Sequence, residues 1–353
     1  MKRLKIFLGG YVNFLNAQNI NCRALSEYLD KEKFDVWTIL FWYQNASDFE
    51  KVPGVHYLRS RRPGRLFGWI PFFLGVLLCD VAYLPKGSYN ALTRVVAKIS
   101  GCKLFTTLEG VLRGTNLTKL SNPKEYIDVY RGFEPNLYAI TKYMADAANQ
   151  DFQLKFNPKV LYLGVKADQF VVELSPRKEL KNIVIVGNNL KYKGLHDFLS
   201  AAEHFPNMTF HVIGGGDMPI EDRTAYLAKH QNLVMHGVCD HAKMSNILSD
   251  MDLMFFPSRS EGFPKVMLET ACAGVPTLCY SDYGAEEWIT SGVDGFVVDT
   301  YDQAKAVVQD LLDHPEKLQP ISEAAIELGK GFDWKVLVKD WEEEIEKIAG
   351  KKL

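Results

Sequence analysis

The chain has 353 residues, 47% hydrophobic and 24% charged, which fits two domains of about 150 to 180 residues and excludes a disordered or low-complexity protein. The formal net charge of −2 hides an asymmetry: residues 1–170 carry 23 Lys and Arg against 14 Asp and Glu, and residues 171–353 carry 18 against 29. The six cysteines are scattered, with no C-x-x-C pair and no zinc-site spacing, so reduced and mostly buried thiols are expected rather than a disulfide framework.

The start, MKRLKIFLGG, is basic but only briefly apolar, and Asn13, Asn16 and Gln18 follow it. It reads as a first strand rather than a signal peptide, and a cytoplasmic protein is expected. Residues 2–8 are strand-like and end in Gly9-Gly10, after which 17–29 has helical apolar spacing. The glycine pair fits either a tight turn or a close approach of ligand or domain to the backbone. FDVWTILFW, VHYL, DVAYL and KLFTTLEG read as further strands, with helices over 91–99 and from Pro123 onward. Alternating strands and helices imply a doubly wound parallel sheet. Glu109 closes the KLFTTLEG strand, where a carboxylate is either catalytic or a helix N-terminal acid.

Arg59, Arg61, Arg62 and Arg65 directly precede Phe67, Trp69, Ile70, Phe72, Phe73 and Leu74. Cations beside aromatics suit an anionic membrane surface or a lipid-linked phosphate; the same residues also make a solvated basic loop before a core helix. The longest apolar run, 66–78, contains Pro71 and is too short to span a bilayer.

A domain boundary is expected between 171 and 181, after a short strand in NPKVLYLG. NIVIVG, MTFHVIGGGD, NLVMHG, LMFF, TLCY and DGFVV then read as strands of a second doubly wound sheet, with helices in GLHDFLSAAEHF, MSNILSD, YGAEEWI and 304–312. Glycines gather where these strands end, at Gly187, Gly194, Gly214, Gly215, Gly216 and Gly284. Such turns bring backbone N–H groups against phosphate oxygens. Neither a P-loop nor a dinucleotide fingerprint is present.

The densest chemistry lies in 252–276, DLMFFPSRSEGFPKVMLETACAGVP: a buried strand, a polar loop with Glu261, and a short helix carrying Glu269. In an open α/β sheet this edge binds ligands. Lys193, alone, is either a phosphate cation or a solvated loop lysine. Joined to a helix start and two spaced carboxylates, it matches what a sugar nucleotide needs. A diphosphate takes a cation and N–H groups, and a ribose diol takes a carboxylate.

Here the sequence resembles the retaining glycosyltransferases of family four. The resemblance lies in LGVKADQF (163–170), GNNLKYKG (187–194), HVIGGGD (211–217), the E-x7-E segment SEGFPKVMLE (260–269), ACAGVPTL (271–278), SDYGAEEWI (281–289) and DGFVV (294–298). It implies an α/β GT-B fold, two doubly wound Rossmann-like domains facing across a cleft. The first, 1–170, would bind the acceptor; the second, 171–333, would bind the donor; a last helix over 334–350 would return to the first. It further implies that Glu261 holds the donor sugar, Lys193 the diphosphate and Glu269 the ribose hydroxyls. The backbone of Phe263, Pro264, Lys265 and Val266 would complete the diphosphate site. Gly187, Asn188 and Gly215 would line the donor pocket, and Gly10 would face it from the other domain. Asn188 stands where the family commonly has Arg, with Lys191 nearby as a substitute cation. Glu109 stands where it often has His and is taken as a third catalytic residue.

The implied reaction moves a sugar, with retention, from a UDP- or GDP-sugar to a glycan or lipid-linked acceptor in surface polysaccharide or glycoconjugate synthesis. No metal or other cofactor and no nucleic-acid partner is expected, and peripheral attachment to the cytoplasmic membrane face follows from the arginine cluster. A nonhydrolysing sugar-nucleotide epimerase and a non-catalytic nucleotide-sugar-binding protein are the alternatives.

Overall fold

The computed structural model describes residues 3–14, 16–41, 49–60, 69–84, 91–114, 122–170 and 176–350. They form two compact units, Met1–Leu163 with Trp334–Leu353, and Gly164–Asp333.

The first unit contains β1 (Leu4–Tyr11), α1 (Ala17–Tyr28), β2 (Phe34–Leu40), β3 (Val55–Arg59), α2 (Ile70–Leu78), β4 (Val81–Tyr83), α3 (Ala91–Ser100), β5 (Lys103–Leu108), α4 (Pro123–Arg131), β6 (Leu137–Ala139) and α5 (Lys142–Phe152). All pairings are parallel, in the order β3-β2-β1-β4-β5-β6. The strand order therefore reverses between β1 and β4. β1 is almost wholly buried, as a strand covered on both faces must be. It also runs through Gly9-Gly10 to Tyr11 rather than turning there, which corrects the expected glycine turn. A Cβ on Gly10 would lie 2.8 Å from Cys22 Sγ on α1, so the glycine lets helix and strand approach closely.

The second unit contains β7 (Asn182–Gly187), α6 (Leu195–His204), β8 (Thr209–Gly214), α7 (Ile220–Lys229), β9 (Leu233–Gly237), α8 (His241–Leu248), β10 (Leu253–Phe256), α9 (Lys265–Cys272), β11 (Thr277–Tyr280), β12 (Gly295–Val298), α10 (Tyr301–Asp313) and α11 (Leu318–Gly331). Its parallel sheet runs β12-β11-β10-β7-β8-β9. The topology is the same, with the reversal between β7 and β10. Phe198 of α6 packs edge-on to Phe210, ring centroids 5.3 Å apart, and stacks over Phe255 at 6.4 Å, tying helix and sheet. Each fully buried ring contributes about 1.5–3 kcal/mol. At the N-terminal edge of the same strands, buried Asp252 pairs with Arg177 at 3.0 Å and accepts from the Lys181 and Asn182 N–H groups at 2.9 and 2.8 Å. That staple fixes β7 beside β10.

The unit boundary falls at 163/164, ahead of the expected cut at 170/171. The reason lies in backbone bonds: Val165 N–H donates to Phe332 O at 2.9 Å, and Ala167 N–H to the Asp333 carboxylate at 3.2 Å. Residues 157–163 make only an isolated bridge, Ala139 to Val160, in place of the expected short strand. YGAEEWI yields a single 3-10 turn, Ala285–Glu287.

The last helix, α12 (Trp334–Ala349), belongs to the first unit. Its buried face carries Trp334, Val338, Trp341 and Ile345 at helical spacing. Trp341 Nε1 donates to Tyr162 O at 3.1 Å. Two carboxylates on that helix are buried as well, and both are satisfied: Glu344 accepts from Tyr138 Oη at 2.9 Å and Glu342 from Asp30 N–H at 2.8 Å.

Candidate functional site

The reversal in strand order leaves a crevice beyond the C-terminal ends of the two diverging strands. In the second unit those ends are Gly187 of β7 and Phe256 of β10, followed by loops 188–194 and 257–264. Gly194 closes the first loop at φ +84°, and an added Cβ would sit 2.1 Å from Pro257 O, so only glycine lets the loops touch. Lys193, just before it, crosses to the second loop and bonds both Glu261 oxygens at 2.7 Å. Ser258 Oγ donates to Glu261 Oε1 at 2.6 Å, and the Lys193 ammonium lies 5.4 Å from the Phe256 ring centroid.

Lys193 and Glu261 are thus one ion pair, a contact that the expected roles on diphosphate and sugar did not include. Glu261 is almost buried, at 9% side-chain exposure, and Lys193 keeps 27%. An ammonium has three donors and a carboxylate about four acceptor positions. The pair leaves capacity on both sides for a ligand.

Gly187 lies beneath this pair: a Cβ there would meet Lys193 Cγ at 3.2 Å. Its carbonyl accepts from Gly215 N–H at 2.9 Å, and Gly214 at φ +103° could carry no side chain without meeting that carbonyl at 2.1 Å. Asn188 is exposed at the head of the loop. The nearby cation Lys191 is committed to Asp222 of α7 at 3.1 Å.

α9 starts at Lys265 behind Pro264, whose carbonyl accepts from Met267 N–H at 3.0 Å. Pro264 has no N–H, so of the expected backbone donors it supplies only a fixed turn. Phe263 packs edge-on to Trp288 with ring centroids 5.1 Å apart, and against Phe332 at 5.8 Å, which holds the loop. One turn into the helix, Glu269 is half-buried. Burial raises its carboxyl above the ordinary range, while His241 and Lys265 oppose the rise. His241 is oriented by Gln169 Oε1 at 2.9 Å. The Asp-x-Asp of this chain, Asp250-Met251-Asp252, lies at the other edge of the sheet, where Asp252 serves the staple. Among the described residues no cluster of three or more His, Cys, Asp or Glu is placed to hold a metal ion.

Glu109 and Gly10 belong to the first unit and meet the same helix there. Gly10 rests on Cys22 and Asn19 of α1, and Asn21 Nδ2 donates to Glu109 Oε2 at 3.0 Å. Glu109 Oε1 accepts from Tyr83 Oη at 2.8 Å and from Thr107 Oγ1 at 3.2 Å. The carboxylate opens on a cavity of about 430 Å³ lined by Asn16, Gln18, Leu112, Tyr126 and Tyr130. Burial pushes the Tyr83 hydroxyl well above its usual value, with Glu109 adding to the rise, so it stays a neutral donor.

Sequence reasoning missed Ser258, Asn21 and His241. Ser258 was within reach, as a hydroxyl at a strand end three residues before Glu261. Asn21 and His241 lie 88 and 28 residues from the carboxylates they serve and carry no local signal.

Two parallel sheets that both reverse at their centre define a GT-B architecture, and solved structures match it along the whole chain. Sucrose-phosphate synthase from Thermosynechococcus elongatus has a TM-score of 0.76 at 14% identity, covering 99% of this chain and 100% of that one. Anabaena HepE, solved in complex with UDP and glucose, has 0.77 at 15% identity, covering 98% and 100%. Residues 167–328, which hold Lys193, Glu261 and Glu269, match the family model described as glycosyl transferases group 1. Over 224 residues the chain is 22% identical to the GtfA subunit of a UDP-N-acetylglucosamine–peptide N-acetylglucosaminyltransferase from Streptococcus pneumoniae serotype 4, covering 58% of this chain and 44% of that one. The chain spans less than half the length of the first curated relatives it matches.

Proposed function

We propose that the protein is a retaining glycosyltransferase that moves a sugar from a UDP- or GDP-sugar to a hydroxyl of a glycan or lipid-linked acceptor, in surface polysaccharide or glycoconjugate synthesis. The observation that carries this reading is the Lys193–Glu261 pair at the strand reversal of the second sheet, inside the stretch that matches the family model. In this reading the third Lys193 donor and the N-terminal turn of α9 take the leaving diphosphate, whose charge grows as the bond to the sugar breaks. Glu261, held by Lys193 and Ser258, accepts from sugar hydroxyls. Glu269 accepts from the ribose diol; a charge-assisted bond of that kind is about twice as strong as a neutral one. Glu109, fixed by Tyr83, Thr107 and Asn21, faces the acceptor hydroxyl. The donor thus belongs to the second unit and the acceptor to the first.

The test is incubation with UDP- and GDP-sugars and a pool of lipid and glycan acceptors. Nucleotide release with labelling of the acceptor, and an anomeric configuration equal to the donor's by NMR, is the expected outcome. Interconversion of the sugar on its nucleotide would instead mark an epimerase, and binding without turnover a donor-binding protein.

A further inference from the structure

Two helices of the first unit present apolar residues to solvent in a pattern that the chain's own core does not explain. α2, IPFFLGVLL, has no polar side chain on any face, and a helix apolar all round is normally enclosed all round. This one is enclosed on one side only. Gly75 sits so close to β1 that a Cβ would lie 2.3 Å from the Phe7 ring, while Leu74 and Leu77 are 40% and 48% exposed.

α3 is inverted relative to a core helix. Its buried residues are the small Thr93 and Ala97, and Ser100 Oγ donates to the Val76 carbonyl of α2 at 3.2 Å. Its large apolar residues, Leu92, Val95 and Ile99, recur at i, i+3 and i+7 on the outer side, with Ile99 75% exposed. Two helices packed side by side thus each expose large apolar residues.

Charge indicates what covers it. Residues 51–108 contain nine Lys and Arg and a single acid, Asp80. Arg94 and Lys98 flank the α3 stripe and are exposed. A protein–protein interface is depleted in Lys, whereas an apolar stripe edged by cations suits the interface of an anionic bilayer. Trp69, at the head of α2, is 53% exposed and is the residue type that settles at headgroup level. Among the described residues no helix is long and apolar enough to cross a membrane.

We propose that the α2–α3 face docks on an anionic lipid bilayer, with Leu74, Leu77, Leu92, Val95 and Ile99 entering the interface and Arg94 and Lys98 meeting lipid phosphates. The sequence reading joined the arginine cluster to the aromatic run that follows it; the proposal keeps Trp69 and Leu74 of that run and adds α3. Arg59 ends β3, while Arg61, Arg62 and Arg65 lie outside the described residues. The proposal stands independently of the donor chemistry.

The test is co-sedimentation of the full chain with vesicles of phosphatidylglycerol and phosphatidylcholine, against vesicles of phosphatidylcholine alone. Binding is expected only to the anionic vesicles and should weaken as salt rises. Arg94→Ser with Lys98→Ser should lower the partition roughly 30-fold. Leu92→Ser with Ile99→Ser should abolish it at an unchanged melting temperature, since both side chains are exposed. Wild-type protein that stays in the supernatant with anionic vesicles at low salt overturns the proposal, as does equal binding to both lipids. A concentration-dependent dimer lost in the Leu92→Ser, Ile99→Ser variant also overturns it, by assigning the face to a second copy of the chain.

Discussion

The two sheets share a strand order and differ in what they place at the reversal. In the second unit the loops after β7 and β10 are drawn together at Gly194, a position that no other residue could fill, and a charged pair, Lys193 with Glu261, spans them. In the first unit the corresponding edge holds a single carboxylate, Glu109, wrapped in neutral donors and facing an aromatic-lined cavity. In the proposed reading the charged edge meets the donor's phosphates and the neutral-lined one the acceptor's hydroxyls. The fold is common to both, and the chemistry lies in a few loop residues.

The contrast is open to direct attack. The largest effect is expected from Lys193→Met, which removes the cation from the charged edge: sugar transfer should fall about 10²- to 10³-fold, the loss typical of a transition-state charge stabiliser. Glu261 would then be a nearly buried carboxylate with only Ser258, so the melting temperature should fall too. Pairing Lys193→Met with Glu261→Gln should recover part of that stability, because the two side chains act as a unit. A Lys193→Met enzyme with normal turnover and a normal melting temperature would show the pair to be ornamental. A smaller effect is expected from Glu109→Gln. The amide places N–H donors where Tyr83, Thr107 and Asn21 already donate, which costs about 1–3 kcal/mol of stability. Turnover should fall while donor affinity, measured by calorimetry, stays unchanged. Weakened donor binding in this variant would erase the proposed division between the units.

Legibility in the sequence followed the same division. The second unit could be read closely because its strands are short apolar runs ended by glycine or proline, and because Lys193, Glu261 and Glu269 sit in local patterns. What could not be read there was the pairing of Lys193 with Glu261, a contact over 68 positions that depends on the sheet bringing β7 beside β10. In the first unit β6 (LYA) and α5 (KYMADAANQDF) went unrecognised, one too short and the other too small-residue-rich to show a strong period. The Gly9-Gly10 pair misled for a physical reason: glycine permits a turn, but it equally permits a helix to press on a strand, and Cys22 decides for the second. The α2–α3 face was half legible. Its apolar character is plain in the sequence, but that α3 packs on Thr93 and Ala97 with Leu92 and Ile99 outward emerges only from the packing.

Calorimetric titration of UDP-sugars and GDP-sugars into wild-type and Glu269→Gln protein tests most directly that the second unit's edge is the donor site. The amide keeps the shape of the side chain and removes its charge. Because burial raises the Glu269 carboxyl in the folded state, ionised Glu269 lowers stability at neutral pH; this penalty is absent below the unfolded pKa near 4.3 and grows as pH rises through the folded value. The variant should therefore melt no lower than wild type at pH 7, which separates binding from folding. Donor affinity should fall roughly tenfold or more, the value of a charged hydrogen bond to the ribose. Unchanged affinity in a folded Glu269→Gln protein would contradict the assignment of the donor to this edge.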